Sequence, residues 1–437
     1  MKRRRPVHTA PKLAKSALVQ IEKPIYGGAF LARLEGKATF VPLTLPGEQA
    51  RIRIVEDKRS YATAEPEEIV SASKYRVQPA CPHFGICGGC SYQHSSYEAQ
   101  LELKKQILLE TFQRAGVPHP EQIEVLAGEP WGYRNRIRLA FGPDGRVGYR
   151  GRRSHDIIAI EECPIASPLL VRAALSAADI FGERKPAFKP AEISLFCDAK
   201  ENALLASISL RETTIDGFDY FPAAWKDVIP ELAGIECVYQ QLADQIPKQL
   251  ARWGQDSILY PAAGFDYRVD HGSFFQVNRW LIDSLVARVI ADHHGMLAWD
   301  LFAGVGLFAR QLTSRYEEVI AVESAPTAAQ SLTQNLRGTV GRSVAGDTLS
   351  FLKAQSTARM PELIVLDPPR AGLGPEVTAA LAAIAAPTVI YVSCDPSTLA
   401  RDMKALLASG YSVNSVTLAD LFPQTFHLET VVTLQKS

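Results

Sequence analysis

Cys394 lies between Ser393 and Asp395-Pro396, on the turn that follows an apolar, strand-like run. A thiol at such a turn faces whatever binds along the strand ends, and the N-terminus of a helix expected from about Thr398 would favour its thiolate. His427 and Glu429 stand two apart, which puts them on one face if the segment is a strand. Either could serve as a base at the same cleft; Glu429 is the expected base and His427 a positioner. Upstream, Asp300, Glu323, Asp347 and Asp367 each follow or end an apolar run. In Asp300-Leu-Phe-Ala-Gly304-Val-Gly306 the two glycines let a turn pass close to a ligand, but Ala309 replaces the third glycine of a dinucleotide site. An acid at the strand end also repels phosphate. The expected cofactor is therefore cationic and phosphate-free, and S-adenosylmethionine fits: Asp300 near its positive half, Glu323 on the ribose hydroxyls, Asp347 at the adenine amino group. The bland alternative is that these acids only cap helices.

A second group of residues could hold metal. Cys81-x5-Cys87-Gly-Gly-Cys90 puts three thiols in one loop, and Cys163-Pro164 could supply a fourth from a distant strand. Four thiolates with no carboxylate suit an iron–sulfur cluster or zinc. The spacing favours iron–sulfur, with zinc and a metal-free loop left open. Cys197 and Cys237 sit in apolar strand contexts and read as packing residues. In residues 131–155, seven arginines face one acid, Asp144. Arg134, Arg136 and Arg138 alternate along a strand-like segment, so they are expected on one face, suited to RNA phosphates and bases. A merely solvated face is the alternative.

These residues need elements to position them. The chain has 437 residues, 47% hydrophobic and 22% charged, with no net charge, which excludes disordered and fibrous classes. Residues 1–16 form a basic tail. Five short β-prone runs within 17–72, broken by Gly-Gly, Glu-Gly and Pro-Gly, predict a small barrel. Residues 73–94 and 126–268 form a β-rich central domain carrying the cysteines and arginines. Residues 95–125 hold a helix, opened by a serine cap and stopped by Gly116, expected to pack on the catalytic domain. From 269 to 437, strands alternate with Ala/Leu-rich helices, the pattern of a doubly wound α/β sheet. No run is long enough to span a bilayer. Met-Lys-Arg-Arg-Arg lacks an apolar segment behind it, so the expected setting is the cytoplasm and the expected state a monomer.

Five motifs, in order, resemble the RNA uracil-5-methyltransferases: Phe274-Phe-Gln276-Val-Asn278, Asp300-Leu-Phe-Ala-Gly-Val-Gly306, Leu366-Asp-Pro-Pro-Arg-Ala-Gly372, Tyr391-Val-Ser-Cys-Asp-Pro396 and Phe422-Pro-Gln-Thr-Phe-His-Leu-Glu429. The resemblance implies a class I (Rossmann-like) methyltransferase domain using S-adenosylmethionine. It makes Cys394 the nucleophile at uracil carbon 6 and Glu429 the base that removes the carbon-5 proton. Gln276, Phe302, Glu323, Asp347 and Asp367 become cofactor contacts, with Asp367 and Gln276 also at the uracil edge. Gly304, Gly306 and Leu307 complete that loop; where relatives carry a polar side chain, Leu307 could contribute only its backbone. Cys81, Cys87, Cys90 and Cys163 match the ligands of a [4Fe-4S] cluster, and the N-terminal barrel resembles the TRAM domain. Together these point to the ribosomal branch and 23S ribosomal RNA, with transfer RNA as the alternative. Rival readings are methylation of an exocyclic amine at Asp367-Pro-Pro, an RNA-binding module with a vestigial cofactor site, and an iron–sulfur oxidoreductase.

Overall fold

The computed structural model describes residues 16–184, 186–240, 247–355 and 360–436. The basic tail expected at 1–16 lies, but for Ser16, outside them. Strands Ser16–Pro24, Ala29–Leu34, Lys37–Pro42, Gln49–Asp57 and Tyr61–Ser71 close into a barrel in the order first, second, third, fifth, fourth. Alternate residues face inward, so Val19, Ile21, Phe30, Ala32, Val41, Ala50, Ile52 and Ala64 build its core. The first hairpin turns through Gly27 (φ +104°) and Gly28 (φ +87°), backbone that side chains rarely adopt.

Helix Tyr97–Ala115 starts on Ser96, whose side chain accepts from the amide of Ala99, and stops at left-handed Gly116. Its Ile107, Leu108 and Phe112 share a buried cluster with Leu297, Trp299 and Leu366 of the catalytic sheet. Burial of Lys104 at this interface is offset by Asp420, with Nζ 2.5 Å from Oδ1 and both side chains fully buried.

The central region holds a seven-stranded sheet ordered Lys248–Gly254, Leu232–Tyr239, Leu204–Leu210, Pro190–Cys197, Arg136–Phe141, Val147–Arg150, Ile157–Ala159. Helices Pro168–Arg184 and Phe221–Val228 cover one face, where strands and loops alone were expected. Leu169, Leu170, Ala173, Ala174 and Ala177 recur at helical spacing, and the three alanines let the first helix lie close to the sheet. Hairpin Ser257–Ala262/Phe265–Asp270 turns the other way, burying Ile258, Tyr260, Tyr267 and Val269 with the catalytic sheet.

The catalytic sheet has eight strands ordered Gly341–Ala345, Tyr316–Glu323, Gly295–Leu301, Leu363–Leu366, Thr388–Ser393, Glu429–Lys436, Tyr411–Ala419, Glu124–Leu126. The first five are mutually parallel, and Glu429–Lys436 runs against them. Chain order reverses beside Gly295–Leu301, so the ligand crevice opens at the carboxyl ends there. Both sheet faces are covered by helices, the α/β layering expected. Among the described residues no helix is long and apolar enough to cross a membrane.

Candidate active site

Asp300, the penultimate residue of strand Gly295–Leu301, is fully buried. Its Oδ2 accepts from the amide of Ala309 at 2.7 Å, while Oδ1 has no partner. Burial pushes its carboxyl up to about 8, with Asp367 and Glu323 adding repulsion. The turn it anchors is tight: Phe302 is left-handed at φ +64°, and a Cβ on Gly306 (φ +92°) would meet Leu332 at 2.7 Å. Gly304 (φ +56°) donates its amide to Glu323 Oε2 at 2.8 Å. The other Glu323 oxygen takes the amide of Ala325. Leu307 is buried, and its carbonyl accepts from the Tyr267 hydroxyl. Asp347 is the N-cap of helix Thr348–Ala354, with Oδ1 on the amide of Ser350 at 2.9 Å; that bond holds its carboxyl below the ordinary range. Gln276 reaches the same crevice, Nε2 donating to Asp367 Oδ2 at 3.3 Å. Burial, then Glu323, raises Asp367 to about 7.

The antiparallel partner brings the proposed chemistry together. Ser393 pairs with Thr430, so Cys394 and Glu429 leave adjacent strands at the same end. Burial pushes the Cys394 thiol up to about 12, with Glu429 and Asp367 opposing its ionisation and Arg370 favouring it. The thiolate expected from a helix dipole is thus not the resting state. Helix Pro396–Ala408 starts two residues early, and its cap Asp395 takes the amides of Ser397 and Thr398. The capping carboxylate uses the positive end that was to serve the thiol. Glu429 is 4% exposed and its carboxyl is raised well above the ordinary range, by burial and then Asp367.

The strand begins at Glu429, so His427 belongs to the preceding loop rather than to the same strand face. Its ring nitrogens lie 3.4 and 3.5 Å from Arg370 Nη2. Burial and then Arg370 push it down to about 4, so it is neutral at pH 7. That loop is pinned from outside: Tyr133 donates to the carbonyl of Pro423, Gln100 pairs with Gln424, and Ser91 and Tyr92 amides reach the carbonyl of Gln424. Two site residues escaped the sequence reading. Arg370 stood in the quoted Asp-Pro-Pro-Arg motif without a role; Tyr26, whose hydroxyl reaches the carbonyl of Cys394, carried no sequence signal at all.

Cys81, Cys87, Cys90 and Cys163 line one cavity with Arg134 and Tyr149. Among the described residues no group of three His, Cys, Asp or Glu is arranged to hold a metal ion. The arginine face differs from expectation. Arg134 turns into the cysteine cavity, and Arg136 lies over the Phe196 ring at 4.3 Å. Both have their Nε buried and unpartnered. Only Arg138 of the three is exposed, bonded to Glu192 at 2.7 Å. The segment enters its sheet only at Arg136, so strict alternation does not reach Arg134. Cys197 and Cys237 are buried packing residues.

The model for tRNA (Uracil-5-)-methyltransferase matches residues 355–437, and the TRAM domain model matches residues 15–66. A Shewanella frigidimarina protein named 23S rRNA (uracil(1939)-C(5))-methyltransferase RlmD is 33% identical, with 93% of this chain and 92% of that protein covered. Its Marinomonas counterpart of the same name is 34% identical over 93% and 92%. An uncharacterized RNA methyltransferase of Streptomyces avermitilis is 31% identical over 95% and 97%. The crystal structure of Pyrococcus abyssi tRNA (uracil-54, C5)-methyltransferase with S-adenosyl-L-homocysteine shares the fold, with TM-score 0.77, 23% identity, and 95% and 99% covered. With relatives this similar along nearly its whole length, the chain belongs to the RNA uracil-5-methyltransferase family.

Proposed function

We propose that this protein methylates carbon 5 of a uridine in 23S ribosomal RNA, acting as a cytoplasmic monomer. The observation that carries the reading is the convergence of Cys394 and Glu429 beside Asp367 at the strand ends. Uracil carbon 5 is a weak nucleophile until something adds at carbon 6. The Cys394 sulfur forms that bond, its proton passing to Asp367, which returns it when the thiolate leaves at the end of the cycle. Carbon 5 then carries the electron density that attacks an electrophile. S-adenosylmethionine, when bound, supplies the methyl on a sulfonium. Glu429 as carboxylate takes the carbon-5 proton, the carbon–sulfur bond breaks, and Cys394 is regenerated. Gln276 and Asp367 orient the uracil edge, and the base must be flipped out of its stack to reach them.

The pocket suits such a cofactor. A fully buried carboxyl with an unpartnered Oδ1, Asp300, near Asp367 and Glu323 favours a positive ligand. Phe302, Gly304, Gly306 and Leu307 would shape its loop, with Glu323 on the ribose and Asp347 toward the base. Cys81, Cys87, Cys90 and Cys163 would hold a [4Fe-4S] cluster. Four thiols around one cavity match its donor set, and the orphaned Arg134 Nε fits an anionic occupant. Cys163 lies in the loop between Ile157–Ala159 and Pro168–Arg184 rather than on the strand expected, so such a cluster would anchor two loops to each other, and anaerobic reconstitution should give iron and inorganic sulfide in equal amounts, lost in Cys90→Ser.

Substrate choice is tested by incubating the enzyme and S-adenosylmethionine with unmodified 23S ribosomal RNA or transfer RNA, followed by nucleoside mass spectrometry. The expected product is 5-methyluridine in the ribosomal RNA. Product in transfer RNA alone would reassign the substrate, and methylation of an exocyclic amine would overturn the reading.

A further inference from the structure

Tyr26 belongs to the first hairpin of the barrel, yet its hydroxyl donates to the main-chain carbonyl of Cys394 at 3.2 Å. Its ring meets Phe426 edge-on, with centroids 5.7 Å apart and planes at 83°, and it packs against the core of the catalytic sheet. The Asp395 side chain is a further polar neighbour of the hydroxyl. The hairpin is built to sit this close. Gly28 has φ +87°, and a Cβ there would stand 3.1 Å from both Phe426 and the Ser91 hydroxyl. Lys23, on the strand leading into the turn, is fixed to Glu110 of helix Tyr97–Ala115 at 2.6 Å.

The bonded carbonyl has a particular place in the fold. Cys394 precedes the N-cap Asp395, so its carbonyl lies outside the hydrogen-bond ladder of helix Pro396–Ala408. The flanking groups are occupied locally: Ser393 Oγ bonds Asp395, and Asp395 bonds Ser397 and Thr398. The peptide bearing the thiol is thus steadied from the barrel, across a separation of 368 residues.

We propose that Tyr26 is a positioning residue for the nucleophile: through the Cys394 carbonyl, the barrel fixes the direction of Sγ toward uracil carbon 6. The proposal rests on the reading of Cys394 as nucleophile. It makes the barrel part of the active site as well as a surface for RNA.

The test uses full-length enzyme, S-adenosylmethionine and a ribosomal RNA fragment transcribed with 5-fluorouridine, whose fluorine cannot be removed as a proton. The covalent adduct is timed on a denaturing gel at saturating RNA, and RNA affinity is measured separately. Tyr26→Phe keeps the ring against Phe426 and removes only the hydroxyl. The adduct rate should fall roughly 10-fold, as expected of a slightly misaimed nucleophile, with RNA affinity and melting temperature unchanged. Gly28→Ala, which presses on Phe426, should slow adduct formation in the same direction. An unchanged rate in Tyr26→Phe, or a loss confined to RNA affinity, would overturn the proposal. Absence of adduct in the unaltered enzyme would instead remove the Cys394 reading, and the proposal with it.

Discussion

At the strand ends, Asp300, Glu323, Asp367 and Glu429 crowd one crevice with Arg370 as the cation acting on Glu429 and Cys394. The cysteine cavity is built differently: four thiols line it together with Arg134, whose Nε is buried without a partner, and with Glu162. Each region gathers groups that are costly to bury alone. The first gathers carboxyl groups whose ionisation is resisted by burial and mutual repulsion, and it is complementary to a cation. The second sets an unpartnered guanidinium nitrogen beside four thiols, which suits thiolates and an anionic cluster.

The largest expected effect lies in the first region. Glu429→Gln should slow turnover by about 10² to 10⁴-fold, the usual contribution of a positioned base. It should also let a protein–RNA adduct accumulate on natural RNA, visible on a denaturing gel; slowed turnover without adduct would move the base to Asp367.

Next comes the buried ion pair that seats the helix on the catalytic sheet. Lys104→Met leaves Asp420 buried without its cation and should destabilise the protein by about 3–5 kcal/mol. Lys104→Met with Asp420→Asn should recover much of that in urea unfolding. If the single variant unfolds like the parent, the pair does not hold the interface.

The pH dependence of ligand binding sharpens the contrast in charge. Asp300 and Asp367 are raised from an ordinary 3.8 to about 8 and about 7. The folded chain therefore binds more protons than the unfolded chain across that window. Their stabilising contribution is complete below the ordinary carboxyl value and is lost as pH rises through about 7 to 8. A cationic ligand favours the ionised forms, so preference for S-adenosylmethionine over neutral S-adenosylhomocysteine should grow from pH 6 to pH 8.5 in calorimetric titrations. A flat preference would mean that these acids do not face the sulfonium.

The smallest effect on folding belongs to the exposed arginine. Arg138→Ala should change stability by less than about 0.5 kcal/mol, while weakening RNA binding and lowering the salt slope by about 1. An unchanged slope would mean that Glu192 alone occupies this side chain.

Periodicity made the α/β layering legible, because five apolar strands ending in acids or turns leave few other arrangements. The barrel was legible from its glycine-punctuated short runs. Helix Pro168–Arg184 was missed because its buried alanines carry a weak hydrophobic signal, although their spacing is helical. The arginine strand was misread because alternation says nothing about residues before the sheet begins: Arg134 precedes the strand and turns inward. Cys394 and Glu429 were readable from local motifs. Their protonation was not, since burial and the capping role of Asp395 arise only when distant strands meet. Tyr26 was beyond reach for the same reason, being brought to Cys394 by barrel docking alone.

The most direct test of the central claim is covalent capture of 5-fluorouridine-containing 23S ribosomal RNA in the presence of S-adenosylmethionine. A methylated adduct should survive denaturation with the unaltered enzyme and vanish in Cys394→Ala. Methyl transfer to normal RNA without any adduct, or an adduct that persists in Cys394→Ala, would contradict the account.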